Sequence, residues 1–204
     1  MKLKLILFLI VYMGSVAHAQ AQRYFGQTDV GMLLGRVESV EREYDGRLNF
    51  TFSTFHGVRV NPSHVVGFSV GIDTYPGMTL VPMALGWRGF REKGKKFTWF
   101  GAFDIGGGSA MLTKKEQTEW SESWFDGGIF ISPSIGLRKD TKDGLYSFLW
   151  TVGYKRQNAS FYEGYYDFSR TQPFFNANIP PGFNSVRTED YTFNSFFFKW
   201  GLMF

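Results

Sequence analysis

The chain has 204 residues, 44% hydrophobic, 19% aromatic and 20% charged, with a formal net charge of +4. That balance excludes a disordered chain and a uniformly apolar one, and the length suits one domain. The 24 glycines count against a helical bundle, and the lack of Cys excludes a disulfide framework, a thiolate nucleophile and a lipid-modified N-terminal Cys.

Residues 1 to 19 read as a cleaved signal peptide. Lys2 and Lys4 precede an apolar run from Leu5 to Met13, and "GSVAHA" carries the small residues Ala17 and Ala19 of a cleavage site. The run is shorter than the ~20 residues a helix needs to cross a bilayer. A second cleavage position follows Ala21. Residues 20 to 204 are expected to form a single barrel domain. Loss of Lys2 and Lys4 leaves 20 of the 22 basic residues against 18 acidic ones, which implies no nucleic-acid partner.

Beyond the signal, the pattern has a period of two, as half-buried strands do. Val30, Met32 and Leu34 alternate with Asp29, Gly31 and Gly35; Leu48, Phe50 and Phe52 alternate with Asn49, Thr51 and Ser53. Val66 to Ile72 and Val81 to Trp87 continue the pattern, with Asp73 and Arg88 on the second face. Phe97, Trp99, Phe103 and Ile105 oppose Thr98, Phe100, Ala102 and Asp104, and Ile129 to Leu137 oppose Phe130 to Arg138. Tyr146 to Tyr154 oppose Leu145 to Lys155, and the closing "SFFFKWGLMF" sets Phe196, Phe198, Trp200, Leu202 and Phe204 against Ser195, Phe197, Lys199, Gly201 and Met203. These are eight candidate strands.

One face is large and apolar. The other is mostly Gly, Ser, Thr and Ala with isolated charges. A soluble sandwich would carry many long charged side chains on its second face, whereas a small closed barrel in lipid turns large residues outward and small or polar ones inward. The expected fold is therefore an all-β, eight-stranded antiparallel up-and-down transmembrane β-barrel, closed so that no strand edge faces lipid. A bulge near "DIGGG" would shift the parity locally.

The connections fit that topology. "NPS" at 61 to 63, "KGK" at 93 to 95 and "DTKDG" at 140 to 144 are short, as periplasmic turns are. The outward connections run from Glu38 to Gly46, through "PGM" at 76 to 78, from Leu112 to Asp126 and from Ala159 to Asp190. Three are long, and "PGM" is the short exception.

"HGVRVNPSHVVGFSVGIDTYPGMTLVPMALGWRGF", "GGIFISPSIGLR", "FLWTVGYKRQ" and "FFFKWGLMF" resemble the small outer-membrane β-barrel proteins of the Bacteroidetes type. The motif positions are Gly57, Asn61 and Pro62, then Gly67, Gly71, Asp73 and Tyr75, then Arg88. The resemblance spans most of residues 24 to 158 and the last strand. It implies a bacterial outer-membrane location and this architecture, and no activity, because that family is largely uncharacterised. Phe204 resembles the terminal aromatic read by barrel-assembly machinery, so that machinery and periplasmic chaperones are expected partners during biogenesis, alongside outer-membrane lipid.

On these parities Asp29, Arg47, Asp73, Arg88, Asp104, Arg138, Lys155 and Lys199 point inward. They read either as an ion, proton or substrate site or as a plug of mutually paired charges. The plug is favoured, because unpaired buried charge is costly and eight strands enclose just enough room for side chains. No sizeable, porin-like pore is expected.

Nothing points to catalysis. His18 leaves with the signal, while His56 and His64 flank the "NPS" turn and read as interfacial structural residues. Ser63 beside His64 is proximity in sequence, not triad geometry. Metal ligands are not clustered, and "DIGGGSA" at 104 to 110 lacks the helix and Lys of a phosphate loop. No cofactor is expected.

The last loop holds eight aromatics, Phe161, Tyr162, Tyr165, Tyr166, Phe168, Phe174, Phe175 and Phe183. Tyr162, Tyr165, Tyr166, Phe168, Arg170, Phe174 and Phe175 are the candidates for surface recognition of an unknown ligand, a partner or a glycan. The competing reading is an upward extension of the barrel wall with a lid and an aromatic girdle. Three functions follow: a non-enzymatic envelope barrel with a structural or binding role, a soluble lipocalin-like carrier of an apolar ligand, or a lipid-modifying hydrolase.

Overall fold

The computed structural model describes residues 24–38, 44–91, 97–166 and 179–204. The expected signal peptide and the "KGK" turn lie outside these residues. Nine antiparallel strands form one sheet: β1 (Tyr24–Glu38), β2 (Tyr44–Asn61), β3 (His64–Tyr75), β4 (Met78–Arg91), β5 (Thr98–Ser109), β6 (Glu116–Gln117), β7 (Ser121–Asp140), β8 (Ser147–Tyr166) and β9 (Phe183–Met203). Each long strand pairs with its sequence neighbour, β1 also pairs with β9, and β5 pairs with β7. Eight strands therefore close on themselves, and the two-residue β6 folds back on β7 as a side arm. No helix among the described residues is long and apolar enough to cross a membrane, which says nothing against strands doing so.

Closure leaves two unlike ends. At the turn end, Asn61 Oδ1 accepts a hydrogen bond from the Ser63 amide at 2.9 Å, tightening the "NPS" turn. The terminus is sewn in beside it: Gly26 and Phe204 exchange both backbone hydrogen bonds, at 2.8 and 2.9 Å. At the opposite end β3 and β4 meet in a two-residue turn over Pro76 and Gly77. Gly77 has φ of 76°, as the third position of a Pro-initiated turn requires.

The wall is taller on one side than sequence periodicity suggests. β3, β4 and β5 have 12, 14 and 12 residues, but β7, β8 and β9 have 20, 20 and 21. A tilted strand needs about 9–11 residues to span a bilayer, so three neighbouring strands rise roughly ten residues beyond that. Much of the expected connection from Leu112 to Asp126 and from Ala159 to Asp190 is thus strand: β7 begins at Ser121, β8 runs to Tyr166 and β9 begins at Phe183. The alternation is broken there by a register shift between Gly127 and Phe130. That irregularity sits on the strand facing "DIGGG", across the β5–β7 pairing, rather than in "DIGGG" itself. Above it both faces leave the apolar belt, so the period-two signal disappears although the ladder continues.

Parity elsewhere is as read. Phe196, Trp200, Leu202 and Phe204 are exposed outward while Ser195, Phe197 and Met203 are buried. The inner face is less uniformly small than expected. Phe25, Phe55, Val65, Phe90, Phe100, Ala102, Leu149 and Met203 pack as one apolar plug at the turn end. Leu33, Tyr75, Met78, Leu80, Ala110, Ala159 and Phe197 form a second towards the tall end, with Phe125 and Phe193 against it. Aromatic rings fit inside because glycines on β2, β3 and β4 give them room: Cβ atoms at Gly57, Gly67 and Gly86 would stand 2.7, 2.8 and 2.9 Å from the Phe55 ring.

At the turn-end rim, beyond the apolar belt, Arg138 donates to both Asp140 oxygens at 2.7 and 3.0 Å and Ser147 Oγ donates at 2.6 Å. The Arg138 hydrogen bonds hold the Asp140 carboxyl below the usual carboxylate range. A depressed folded-state value gives stability that is complete above the unfolded-state pKa of about 3.9 and is lost as pH falls through the folded value. Half of the Asp140 side chain is exposed, so the expected contribution is a few tenths of a kcal/mol. Asp140→Asn should lower the urea midpoint slightly at pH 7 and flatten its fall as the pH drops below about 5; an unchanged acid slope would remove Asp140 from the account.

Candidate functional site: a sealed polar layer and a tall aromatic wall

Between the two apolar plugs lies a layer of charge. Arg88 grips Asp104 with two hydrogen bonds, 2.8 and 3.1 Å, and donates from Nε to Gln27 Oε1 at 3.2 Å. Gln27 in turn donates to Asp29 Oδ2 at 2.7 Å. Asp73 accepts from Thr51 at 2.6 Å and pairs with Lys155. Lys199 donates to Ser53 Oγ at 3.1 Å. Asp29, Asp73 and Asp104 thus face Arg88, Lys155 and Lys199, three charges of each sign.

Each cation also lies on a buried aromatic ring. Arg88 is 4.1 Å from the centroid of Phe55, Lys155 is 4.1 Å from Phe130 and Lys199 is 4.9 Å from Phe197. The rings close the lumen and, by cation–π attraction, offset part of the desolvation of the charges they touch. Towards the tall end, Arg47 donates to Ser195 Oγ at 2.8 Å and sits over Tyr75 and Phe193, at 5.1 and 4.7 Å. Arg138 lies apart from the layer, with Asp140 at the rim. The space left in the layer is a cavity of about 40 Å³ lined by Asp29, Asp73, Thr151, Lys155 and Lys199 among others, on the scale of one or two water molecules. Chemically the arrangement is a hydrogen-bonded seal.

Of the motif positions named in the sequence, Asp73, Tyr75 and Arg88 all belong to this interior. The participation of Gln27, Thr51 and Ser53 was not legible from charge, since polar neutral residues on the inner face look alike until the register brings them to a carboxylate or an ammonium.

The two histidines sit on the outer surface at the turn end. His56 Nδ1 lies 2.6 Å from Tyr24 Oη and its Nε2 lies 3.0 Å from Thr54 Oγ1. His64 stacks on Trp87 and accepts from its Nε1 at 3.2 Å. No carboxylate or serine hydroxyl is hydrogen-bonded to either ring among the described residues, and no group of metal-ligating side chains occurs among them.

The tall wall divides the recognition candidates. Tyr162 and Tyr166 share a face with Trp124 and Phe183: Trp124 stacks on Tyr162 at 5.4 Å, and Phe183 lies 5.7 Å from Trp124 and 5.3 Å from Tyr166. Lys115, on the side arm, sits 5.6 Å from the Trp124 ring and pairs with Glu122 at 3.0 Å. Tyr165 falls on the opposite face, where Glu163 holds its hydroxyl protonated to higher pH than usual. On that side Glu189 accepts from Tyr191 at 2.5 Å and from Arg187, and these bonds lower its pKa. Phe168, Arg170, Phe174 and Phe175 lie outside the described residues. Trp124 was missed in the sequence because it precedes the bulge and lies 38 positions from Tyr162, on which it stacks, and Lys115 because its role depends on reaching Trp124.

No protein-family model matches the chain, and no curated protein does. Among solved structures it is similar to Neisserial surface protein A, at 12% identity and a TM-score of 0.49 over 88% of this chain and 95% of that one. It is also similar to the translocator domain of the autotransporter NalP from Neisseria meningitidis, at 9% identity and a TM-score of 0.33 over 96% and 95% of the respective chains.

Proposed function

We propose that the mature chain is a non-enzymatic β-barrel of a bacterial outer membrane, with a closed lumen and a one-sided wall that serves recognition at the cell surface. The observation that carries this reading is the outward belt. Met32, Leu34, Phe50, Phe68, Leu85, Trp99, Ile135, Val152, Phe196 and Trp200 are all exposed, on every long strand of the barrel. Water would meet a far larger apolar surface than a soluble monomer tolerates, whereas lipid is satisfied by it, and the closed ladder leaves no backbone group for lipid to hydrate.

Two competing functions are less well supported. A soluble carrier needs an apolar pocket of some 300–1,000 Å³ inside, and the interior layer offers about 40 Å³ between charged groups. A lipid hydrolase needs an activated nucleophile, and His56 and His64 are engaged by Tyr24, Thr54 and Trp87 instead. The "NPS" and "DTKDG" turns share one end with Tyr24 and Phe204, which suits a periplasmic orientation for it. There Phe204, tied to Gly26, is available to barrel-assembly machinery, and periplasmic chaperones would carry the chain to that machinery. The Trp124, Tyr162, Tyr166 and Phe183 face would then stand outside the cell as the surface for a partner or a glycan. Fractionation of native cells with a heat-modifiability gel tests the reading. We expect outer-membrane recovery and faster migration of the unboiled protein; recovery without detergent would overturn it.

A further inference from the structure

The belt is not evenly filled. Gly89 and Gly101 are register partners on β4 and β5, and they are flanked by His64 on β3 and Ile135 on β7. These four positions form one outward row across the wall near the turn end. Two adjacent glycines in a belt of large side chains leave a notch. Its volume is about 350 Å³, with Trp87 above, Trp99 and Arg91 below, and His64 and Ile135 at the sides. The Trp87 indole covers Gly89, where an added Cβ would clash with it, and the notch is open at Gly101, where an added Cβ would come no nearer than 3.8 Å to Trp87.

Charge marks the rim just below it. Arg91 is paired in register with Trp99, and Lys139 on β7 reaches to 5.8 Å from the Phe97 ring. Two cations therefore flank the exposed aromatics Trp99 of β5 and Phe97 just before it. At the same height on the other side of the barrel the outward residues are Tyr24, Val58, Val60, Tyr146, Phe148 and Phe204, none charged. Among the described strand residues that face outward at this height, the basic ones, Arg91 and Lys139, belong to the sector that carries the notch, whereas Arg59 and Arg138 lie over the inner Phe90 ring.

We propose that this sector is a binding site for one anionic glycerophospholipid of the leaflet nearest the short turns. An acyl chain lies in the notch over Gly101, between Trp99 and the Trp87 indole that covers Gly89, and the phosphate is held by Arg91 and Lys139. The glycines supply depth, the indoles supply flat apolar walls and an interfacial anchor, and the two cations complement an anionic headgroup. This inference rests on the outer-membrane reading above and adds to it a lipid class and a place.

The test uses the mature chain refolded in mixed micelles, with lipid retention read by native mass spectrometry. Phosphatidylglycerol and phosphatidylcholine of identical acyl chains are the probes, and each variant is first checked on the heat-modifiability gel. Two surface cations should favour the anionic lipid by about tenfold. Arg91→Gln with Lys139→Gln should bring the two lipids to parity, and Gly101→Leu should reduce retention of both while the cations remain. Equal retention of both lipids by the unaltered protein, a preference that survives the double substitution, or retention untouched by Gly101→Leu each overturns the site. A protein that stays soluble without detergent and shows no gel shift would instead sink the membrane reading itself, so the two failures are distinguishable.

Discussion

Lys155→Met is expected to destabilise the barrel by about 3–5 kcal/mol, because it strands the Asp73 carboxylate between two apolar plugs. Asp73 is 1% exposed and Lys155 is 5% exposed. Thr51 would still donate to one Asp73 oxygen, at 2.6 Å, but a single neutral donor does not replace an ammonium. The methylene stem of Met retains the packing against Phe130, so the loss reports charge rather than volume. Asp73→Asn added to Lys155→Met removes the stranded charge and should recover more than half of that loss, as a coupling between touching residues requires. Urea unfolding in lipid vesicles, followed by tryptophan fluorescence, measures both variants. If the double variant is as unstable as the single one, the pair is not the source of the effect. Should Lys155→Met fail to refold at all, the refolding yield of the double variant still decides the matter.

The second large effect is steric. Gly67→Val should destabilise by about 1–3 kcal/mol, the usual range for overpacking a filled interior, even though Val favours strands more than Gly does. An added Cβ at Gly67 would meet the His56 carbonyl oxygen, the Gly57 Cα and the Phe55 ring. The first two are backbone and cannot swing away, and the ring is held by Phe25, edge-on at 5.8 Å, and by Arg88. Phe55→Leu combined with Gly67→Val should restore part of the loss by freeing the space the ring occupied. Gly101→Val, which adds the same side chain outside the barrel where only Trp87 is near, should change stability by no more than about 0.5 kcal/mol. Equal effects at the two glycines would mean that strand propensity, not packing against Phe55, decides.

Both expectations concern the same design. A narrow barrel must fill its lumen, and this chain fills it in three layers, apolar, charged and apolar, with glycines admitting the rings and the rings supporting the cations. Rigidity of that stack makes the tall β7–β9 wall a fixed platform, because the strands that form it are anchored below by Lys155 on β8, Phe130 on β7 and Lys199 on β9.

What the sequence determined by itself is local and periodic. Alternation in "SFFFKWGLMF" and its counterparts revealed the strands, their outward and inward faces and the inward direction of Asp29, Asp73, Arg88, Asp104, Lys155 and Lys199, because a strand's period of two needs no knowledge of its neighbours. Turn chemistry in "NPS" and "PGM" set where the chain reverses. Only the tertiary structure decided what those residues meet. Which carboxylate faces which cation depends on the register of strands far apart in sequence, as Asp73 and Lys155 are 82 positions apart. That inner Phe residues cap the lumen depended on glycines across three strands, and that both ends of the loop after Ala159 are wall depended on ladders that persist after the apolar alternation has ended. The notch at Gly89 and Gly101 is of the same kind: each glycine is unremarkable in its own strand, and a site exists only because the register sets them side by side.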